Sequence, residues 1–398
     1  MDLYSQKIQS TPTEFANYLN GKGPIFWSEP EQFWVITDHA LAQEALKSSQ
    51  LSADRGPYFM SKMSGCPFSK VANFFGVVSK MMVNSDAPEH TRRRKLASAG
   101  ISDHVIEHFA PQVKKVVAGL LEKQTSGTSV EFVSDVALPL PNIILADLFS
   151  IPAEKRPDFY RWANHMTQFF GGGSENLMMD AENADRGAHE LRDYFTELIH
   201  SRRHNSANDF ISHLLRNQGN LDDSEVISQA AIMLVAGTVT TTDQICNNLY
   251  SLIQSNVWPL LVKDRSLLEN AIEEATRLDP AVNFIFRIVK EDMTLGGKQI
   301  DAGQLIFVST HATNRAAEVF PDANSFNLER ERNPHLSYGS GIHYCLGARL
   351  GRIQMKELFG QMLERYPQLT LDSTKPSQRK HQSLAFSGFE TLHLQLGI

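Results

Sequence analysis

Cysteine is scarce in this chain. Only Cys66, Cys246 and Cys345 occur among 398 residues, which excludes a disulfide framework and fits a reducing compartment. Positive charge is not in excess: 38 Lys and Arg stand against 45 Asp and Glu, a formal net charge of −7. No global basic field exists, so nucleic acid is not an expected partner. Long apolar runs are also missing. None approaches the ~20 residues of a membrane helix, and Met1 to Lys7 lacks the apolar core of an export signal. A soluble, cytoplasmic, monomeric protein with no membrane partner is expected. No repeat, low-complexity tract or linker divides the sequence. Residues 1–398 are therefore read as a single domain, although length alone suggests two or three.

What is present is patterned mainly for helix, with 42% hydrophobic residues, enough to bury a large core and still enclose a cofactor. Phe33 to Thr37 reads as a strand, and Asp38 caps a helix to about Ser49. Ser52 to Lys80 has no clear period and reads as a long loop containing Cys66. Pro88 to Lys123 is helical. Further helices are expected at about 140–150, 154–170 and 175–203, the last two separated by Gly171-Gly172-Gly173. Asp222-Asp223-Ser224-Glu225 forms a capping box and opens a long helix to about Ser255, ~50 Å in length. A second helix runs from Trp258 to Leu278 and is stopped by Asp279-Pro280. Strands follow at Phe284–Val289, Met293–Ile300 and Leu305–Val308, then a helix from Cys345 to Tyr366 and a β pair within 382–397. The fold class is mainly α with a minor β lobe.

The most distinctive stretch is His335 to Arg352. Gly339, Gly341 and Gly347 crowd Cys345, just ahead of the last helix. Glycine permits positive φ and close backbone approach. A sulfur near a helix N-terminus is favoured as thiolate, and a shielded thiolate suits an axial ligand of haem iron. A buried structural cysteine is the plainer reading of any lone Cys. However, Tyr338-Gly339-Ser340-Gly341-Ile342-His343-Tyr344-Cys345-Leu346-Gly347 resembles the haem-binding signature of the cytochrome P-450 family, Phe-Gly-x-Gly-x-His-x-Cys-x-Gly. Tyr338 departs from the usual Phe. Beside a thiolate, its phenol would donate a hydrogen bond that Phe lacks.

Other segments carry the same resemblance. Ala236-Gly237-Thr238-Val239-Thr240-Thr241, within the long helix, is similar to the family's oxygen-binding motif Ala-Gly-x-(Asp/Glu)-Thr-Thr. The resemblance gives Gly237, Thr240 and Thr241 catalytic roles, with Thr240 holding a water. Val239 stands where the acid is usual. Asp243 lies one turn on, ~6 Å along the axis. Without that acid, protons would travel through Thr238, Thr240 and Thr242. Glu274 and Arg277 match the family's Glu-x-x-Arg, and Arg330 its Phe-x-x-x-Arg, which implies a buried structural network under the cysteine loop. Asn314-Arg315-Ala316 resembles its Asn-Arg-Asp, with Ala316 in the acidic position. His90 and Arg94, Arg287, and His343 match the residues that hold haem propionates.

The resemblance implies a single-domain cytochrome P-450 fold, with the long helix over the haem and the cysteine loop beneath it. It implies haem b as cofactor, with Cys345 its iron ligand. Ile232, Val235, Ala236 and Val239 form an apolar stripe that is ordinarily core. Next to a haem, part of it would face substrate, together with Asn283, Ile285 and Phe386. The expected activity is hydroxylation or epoxidation of a largely hydrophobic small molecule, in secondary metabolism, with dioxygen and two electrons from a ferredoxin-type donor and its reductase. Arg92, Arg93, Lys95, Arg349, Arg352 and Lys356 form either a docking face for that donor or a solvated basic face. Val239 leaves open oxidative coupling, ring closure or peroxide-driven oxidation. A haem carrier or gas sensor is the non-enzymatic alternative.

Overall fold

The computed structural model describes residues 3, 11–56, 70–171, 177–380 and 385–397. Cys66, Gly172, Gly173 and Leu384 lie outside them. The described chain is mostly helical, with short sheets. Its contacts form two compact units. One comprises Met1–Leu51, Pro111–Pro141 and Thr240–Ile398, the other Ser52–Ala110 and Asn142–Val239.

In the first unit, strand Phe33–Ile36 pairs antiparallel with Ile25–Ser28 and parallel with Leu305–Ser309. Leu305–Ser309 pairs antiparallel with Phe284–Val289, setting Ile285 opposite Val308 and Arg287 opposite Ile306. Asp38 caps helix His39–Lys47 by accepting from Leu41 N at 2.7 Å. The single strand expected over Met293–Ile300 is a hairpin: Gly296 and Gly297 have φ of +55° and +74° and turn Met293–Leu295 onto Lys298–Ile300, the two-residue geometry that glycines favour. The helix expected over Trp258–Leu278 is also divided, because Asp264 is extended and its carboxylate accepts from Ser266 N, starting a new turn. The last helix is Ala348–Arg365, so Cys345 precedes it. A three-stranded sheet joins His393–Gln395 to Ser129–Glu131 and Thr370–Leu371.

The second unit has an aromatic centre in which Phe149 meets Phe159, Phe195 and Phe210 at 4.8–5.6 Å between ring centroids. Gly100 ends helix Glu89–Gly100 against Phe210, where a side chain would overlap the ring. The presumed loop after Ser52 contains a helix, Ala72–Val78, whose first N–H groups at Asn73 and Phe74 are received by Asp185 at 2.7 and 3.0 Å.

Helix Asp223–Gln254 runs 32 residues. Its capping box is reciprocal: Asp222 Oδ1 accepts from Glu225 N at 2.8 Å, and Glu225 Oε2 accepts from Asp222 N at 3.3 Å. The helix is long and apolar enough to cross a membrane, yet 72% of its most apolar window is buried within the protein, as befits a core helix.

Candidate functional site

The cysteine loop is built from glycine geometry. Gly339 and Gly341 take φ of +72° and +70°, which residues with a Cβ rarely adopt. A Cβ on Gly341 would also sit 3.0 Å from Leu46 O, so the loop lies close on the end of helix His39–Lys47. A tight turn over Gly341–His343 follows, and Cys345 N donates to Tyr338 O at 2.9 Å. These bonds fix the backbone and leave the Cys345 side chain exposed, flanked by exposed Ile342 and Tyr344. Free cysteines are ordinarily among the most buried residues.

Two ion networks support this loop. Arg277 grips Glu274 through two bonds of 2.7 and 2.8 Å, and Arg330 adds another at 3.0 Å. Asn327 N and Asn333 Nδ2 complete the acceptor shell of the carboxylate. Arg277 also donates to the carbonyls of Asn314, Ala323 and Ser325. Burial pushes the Glu274 carboxyl up, but the bonds from Arg277 and Arg330 outweigh it and hold the carboxyl below its ordinary value. Asn314 carries the network into the loop: its Oδ1 accepts from Leu336 N at 2.7 Å, and its Nδ2 donates to Ser337 Oγ at 2.8 Å.

Glu273, on the same helix, anchors the second network, which the sequence reading missed. Arg352 donates to both of its oxygens at 2.7 Å, and His335 Nε2 lies 3.2 Å away. Burial opposes ionisation here too, but Arg352 and His335 hold the carboxyl at about 2. The Arg352 guanidinium covers the Tyr338 ring at 4.4 Å, and Lys356 is paired with Glu269. In the second unit Arg92 and Arg93 both engage Glu225. At these four positions the positive charge is paired with a carboxylate of the chain. The signal available was the adjacent pair Glu273-Glu274, whose side chains serve different partners on one helix.

The Tyr338 hydroxyl is buried and has no hydrogen-bond partner among the described residues. Burial raises its pKa. Tyr338→Phe is accordingly expected to stabilise the protein by about 1 kcal/mol, since it removes an unsatisfied buried hydroxyl. A thermal melt checks this, and a lower melting temperature would show that the hydroxyl has a partner in solution.

The long helix is buried on either side of its centre, but Ala236 is exposed and Gly237, Val239, Thr240 and Thr241 are half-buried. Gly237 packs on Leu145, whose Cδ1 would lie 3.1 Å from an added Cβ. Ile232 and Val235 are buried core residues. The Thr238 hydroxyl donates to Leu234 O at 3.0 Å and that of Thr242 to Ala137 O at 3.4 Å. Both hydroxyls thus donate to backbone carbonyls.

Among the candidate anchors of the first unit, Arg287 is buried and donates to Phe286 O at 2.8 Å, and His343 is half-buried. In the second unit His90 is buried and Arg94, one turn on, is half-buried. Ile285 lies against the cysteine loop, its Cδ1 3.6 Å from where a Gly339 Cβ would be. Asn283 is buried, with its amide oxygen 2.8 Å from His311 Nε2 and its amide nitrogen donating to Phe386 O at 3.1 Å. Its amide is therefore tied to the fold at both ends. Phe386 itself is half-buried.

The donor set fits a haem. One exposed thiol stands in a glycine cradle ahead of a helix, and a buried guanidinium lies in the same unit. Among the described residues no three His, Cys, Asp or Glu side chains form a metal cluster. A single sulfur ligand is how a haem thiolate is held.

Known proteins agree. The cytochrome P450 family model matches residues 3–256 and 261–391. Cytochrome P450 107B1 of Saccharopolyspora erythraea is 30% identical over 370 residues, 92% of this chain and 89% of that protein. Polyketide biosynthesis cytochrome P450 PksS of Bacillus subtilis is 28% identical, covering 99% of this chain and 98% of its own. The PksS structure matches all of both chains with a TM-score of 0.87 at 27% identity. The structure of CxnD, a cytochrome P450 enzyme for C–S bond formation in chuangxinmycin biosynthesis, matches 98% of this chain and 95% of its own with a TM-score of 0.83 at 26% identity. This chain belongs to the cytochrome P450 family, and is an oxygen-using oxidoreductase with a haem cofactor.

Proposed function

We propose that this chain is a cytoplasmic, monomeric haem-thiolate monooxygenase that hydroxylates or epoxidises a largely hydrophobic small molecule of secondary metabolism. Its two electrons come from a ferredoxin-type donor with its reductase. Its two units make one cytochrome P-450 domain, a reading supported by the family match across both. The observation that carries the proposal is the exposed Cys345 in its glycine cradle. The haem, assigned as haem b, supplies dioxygen activation at its iron when bound.

The chain's own residues do the rest. Cys345 would ligate the iron and donate electron density to it. Arg287 and His343 in the first unit, and His90 and Arg94 in the second, would hold the propionates by charge-assisted hydrogen bonds. Thr240 holds a water and a proton at its hydroxyl, with Gly237 and Thr241 completing the accessible stretch of helix. Ala236, Val239, Ile285 and Phe386 supply apolar contacts to substrate. PksS and 107B1 support a bacterial small-molecule oxidation of this kind, and the PksS name supports secondary metabolism.

The reduced carbonyl complex tests the ligand: a red-shifted Soret band is expected, and an ordinary haem–imidazole spectrum would count against it. Spin-state titration against polyketide, terpene and aromatic libraries then identifies the substrate.

Val239 favours a second reading, oxidative coupling or peroxide-driven oxidation, and the C–S bond formation of CxnD gives it support. Val239→Asp separates the two. If the chain is a monooxygenase running with an impaired proton supply, recovery of reducing equivalents in product is expected to rise by roughly threefold to tenfold, a modest share of general acid catalysis. Unchanged coupling, together with full turnover on hydrogen peroxide alone, would favour the second reading.

A further inference from the structure

Beyond Thr240 the long helix is buried without interruption from Thr242 to Leu249, and one of those residues is a carboxylate. Asp243 Oδ1 accepts from Lys380 Nζ at 2.7 Å. Its Oδ2 is buried with no hydrogen-bond partner among the described residues. Gly388 closes over the carboxylate so tightly that any side chain there would overlap it, and Lys380 N donates to Gly388 O at 3.0 Å. Lys380 and Gly388 thus flank the segment Ala385–Ser387, which carries Phe386.

The same segment is fastened through its backbone. Asn283 N donates to Ala385 O at 2.8 Å, and Ser387 N to Ala281 O at 2.9 Å. Asn283 Nδ2 donates to Phe386 O at 3.1 Å, and Asn247 Nδ2 to Ser387 O at 3.1 Å. The Asp243–Lys380 pair is the fastening whose strength depends on the charge of both partners. It is a poor stability device: a buried ion pair repays its desolvation only with saturated geometry, and one oxygen here is unsatisfied. Burial pushes the Asp243 carboxyl up to about 6 despite the pull of Lys380. Glu390 and Asp279 add to that rise, and the Cys246 thiol, Lys380, Arg379 and Glu131 are the other titratable or charged groups in reach.

We propose that Asp243 and Lys380 are positioning residues that hold the Ala385–Ser387 segment, and with it Phe386, against the long helix, so that removing either charged partner loosens the segment and weakens substrate binding. The proposal rests on Phe386 being a substrate contact, as assigned above.

The test uses the haem-loaded protein with two iron-ligating probes. Imidazole reports the haem alone, and the phenyl ring of 4-phenylimidazole stands in for a hydrophobic substrate. In Asp243→Asn, peptides spanning 380–389 should exchange amide hydrogens faster at about pH 7, and 4-phenylimidazole should bind roughly tenfold more weakly, the scale of one lost charged hydrogen bond. Imidazole affinity should change by less than about twofold. Lys380→Met should behave like Asp243→Asn and carries the test if the latter fails to fold. Lys380→Arg, which keeps the charge, should restore affinity. Unchanged exchange and affinity in both neutral variants would overturn the proposal, as would a loosened segment with unchanged 4-phenylimidazole affinity. Failure of the wild type to bind imidazole would instead overturn the haem-site reading, which the exchange measurement does not depend on.

Discussion

Arg277→Leu is expected to cost about 3–5 kcal/mol and to yield insoluble or haem-free protein, because it leaves the Glu274 carboxylate buried without its main partner. The side chains of Arg277 and Glu274 are essentially inaccessible. Three carbonyls at Asn314, Ala323 and Ser325 lose their donor at the same time. Arg330 cannot compensate, since it already donates to the same carboxylate. The damage should reach the cysteine loop through Asn314, which holds Leu336 N and Ser337 Oγ. Haem content per chain and the soluble fraction are the measurements; full haem content in soluble protein would refute the expectation. The pH response has a definite sign. Glu273 and Glu274 are both held below their ordinary 4.5. Their contribution is fully present above about pH 4.5. It is lost as pH falls toward the folded-state value, about 2 for Glu273. Acid should therefore release the support of the loop only as pH falls toward that value.

Legibility in the sequence followed the distance between partners. The cysteine loop, the Glu274–Arg277 pair and the Asp222–Glu225 capping box each lie within one short stretch, where spacing alone determines which side chains meet. Arg330 was recognisable only through the family pattern. Helix Ala72–Val78 was read as loop because its cap is Asp185, over a hundred residues away, and Val71 offers no local signal. Strand Ile25–Ser28 is four residues long and gains its identity from pairing with Phe33–Ile36. Arg352 and Lys356 share a helix face, as expected, but their acids come from helix Leu268–Leu278. Two residues of the basic stripe are thus ion-paired in space. Asn283 precedes the strand, and its amide meets His311 and Phe386, partners that alternation does not reveal.

Cys345→Ala should separate the chemistry from the fold more cleanly than any other change. The Cys345 side chain is exposed, and the loop around it is set by Gly339, Gly341 and the bond from Cys345 N to Tyr338 O, none of which needs the sulfur. Haem-free protein should thus lose no more than about 0.5 kcal/mol, as expected for an exposed substitution. The loaded protein should lose the red-shifted carbonyl band completely and its turnover should fall to background, since the electron density that favours oxygen cleavage comes from the thiolate. Rescue by another described thiol is not expected. Cys246 is buried, and burial pushes its pKa well above the ordinary value, so it stays a neutral thiol and a poor ligand. Reduced-carbonyl spectra and melts of haem-free protein, run on both chains, give the two readouts. A persisting red-shifted band would move the ligand to a different sulfur. A large loss of haem-free stability would mean that the sulfur serves packing and that the loop is not preorganised for a ligand.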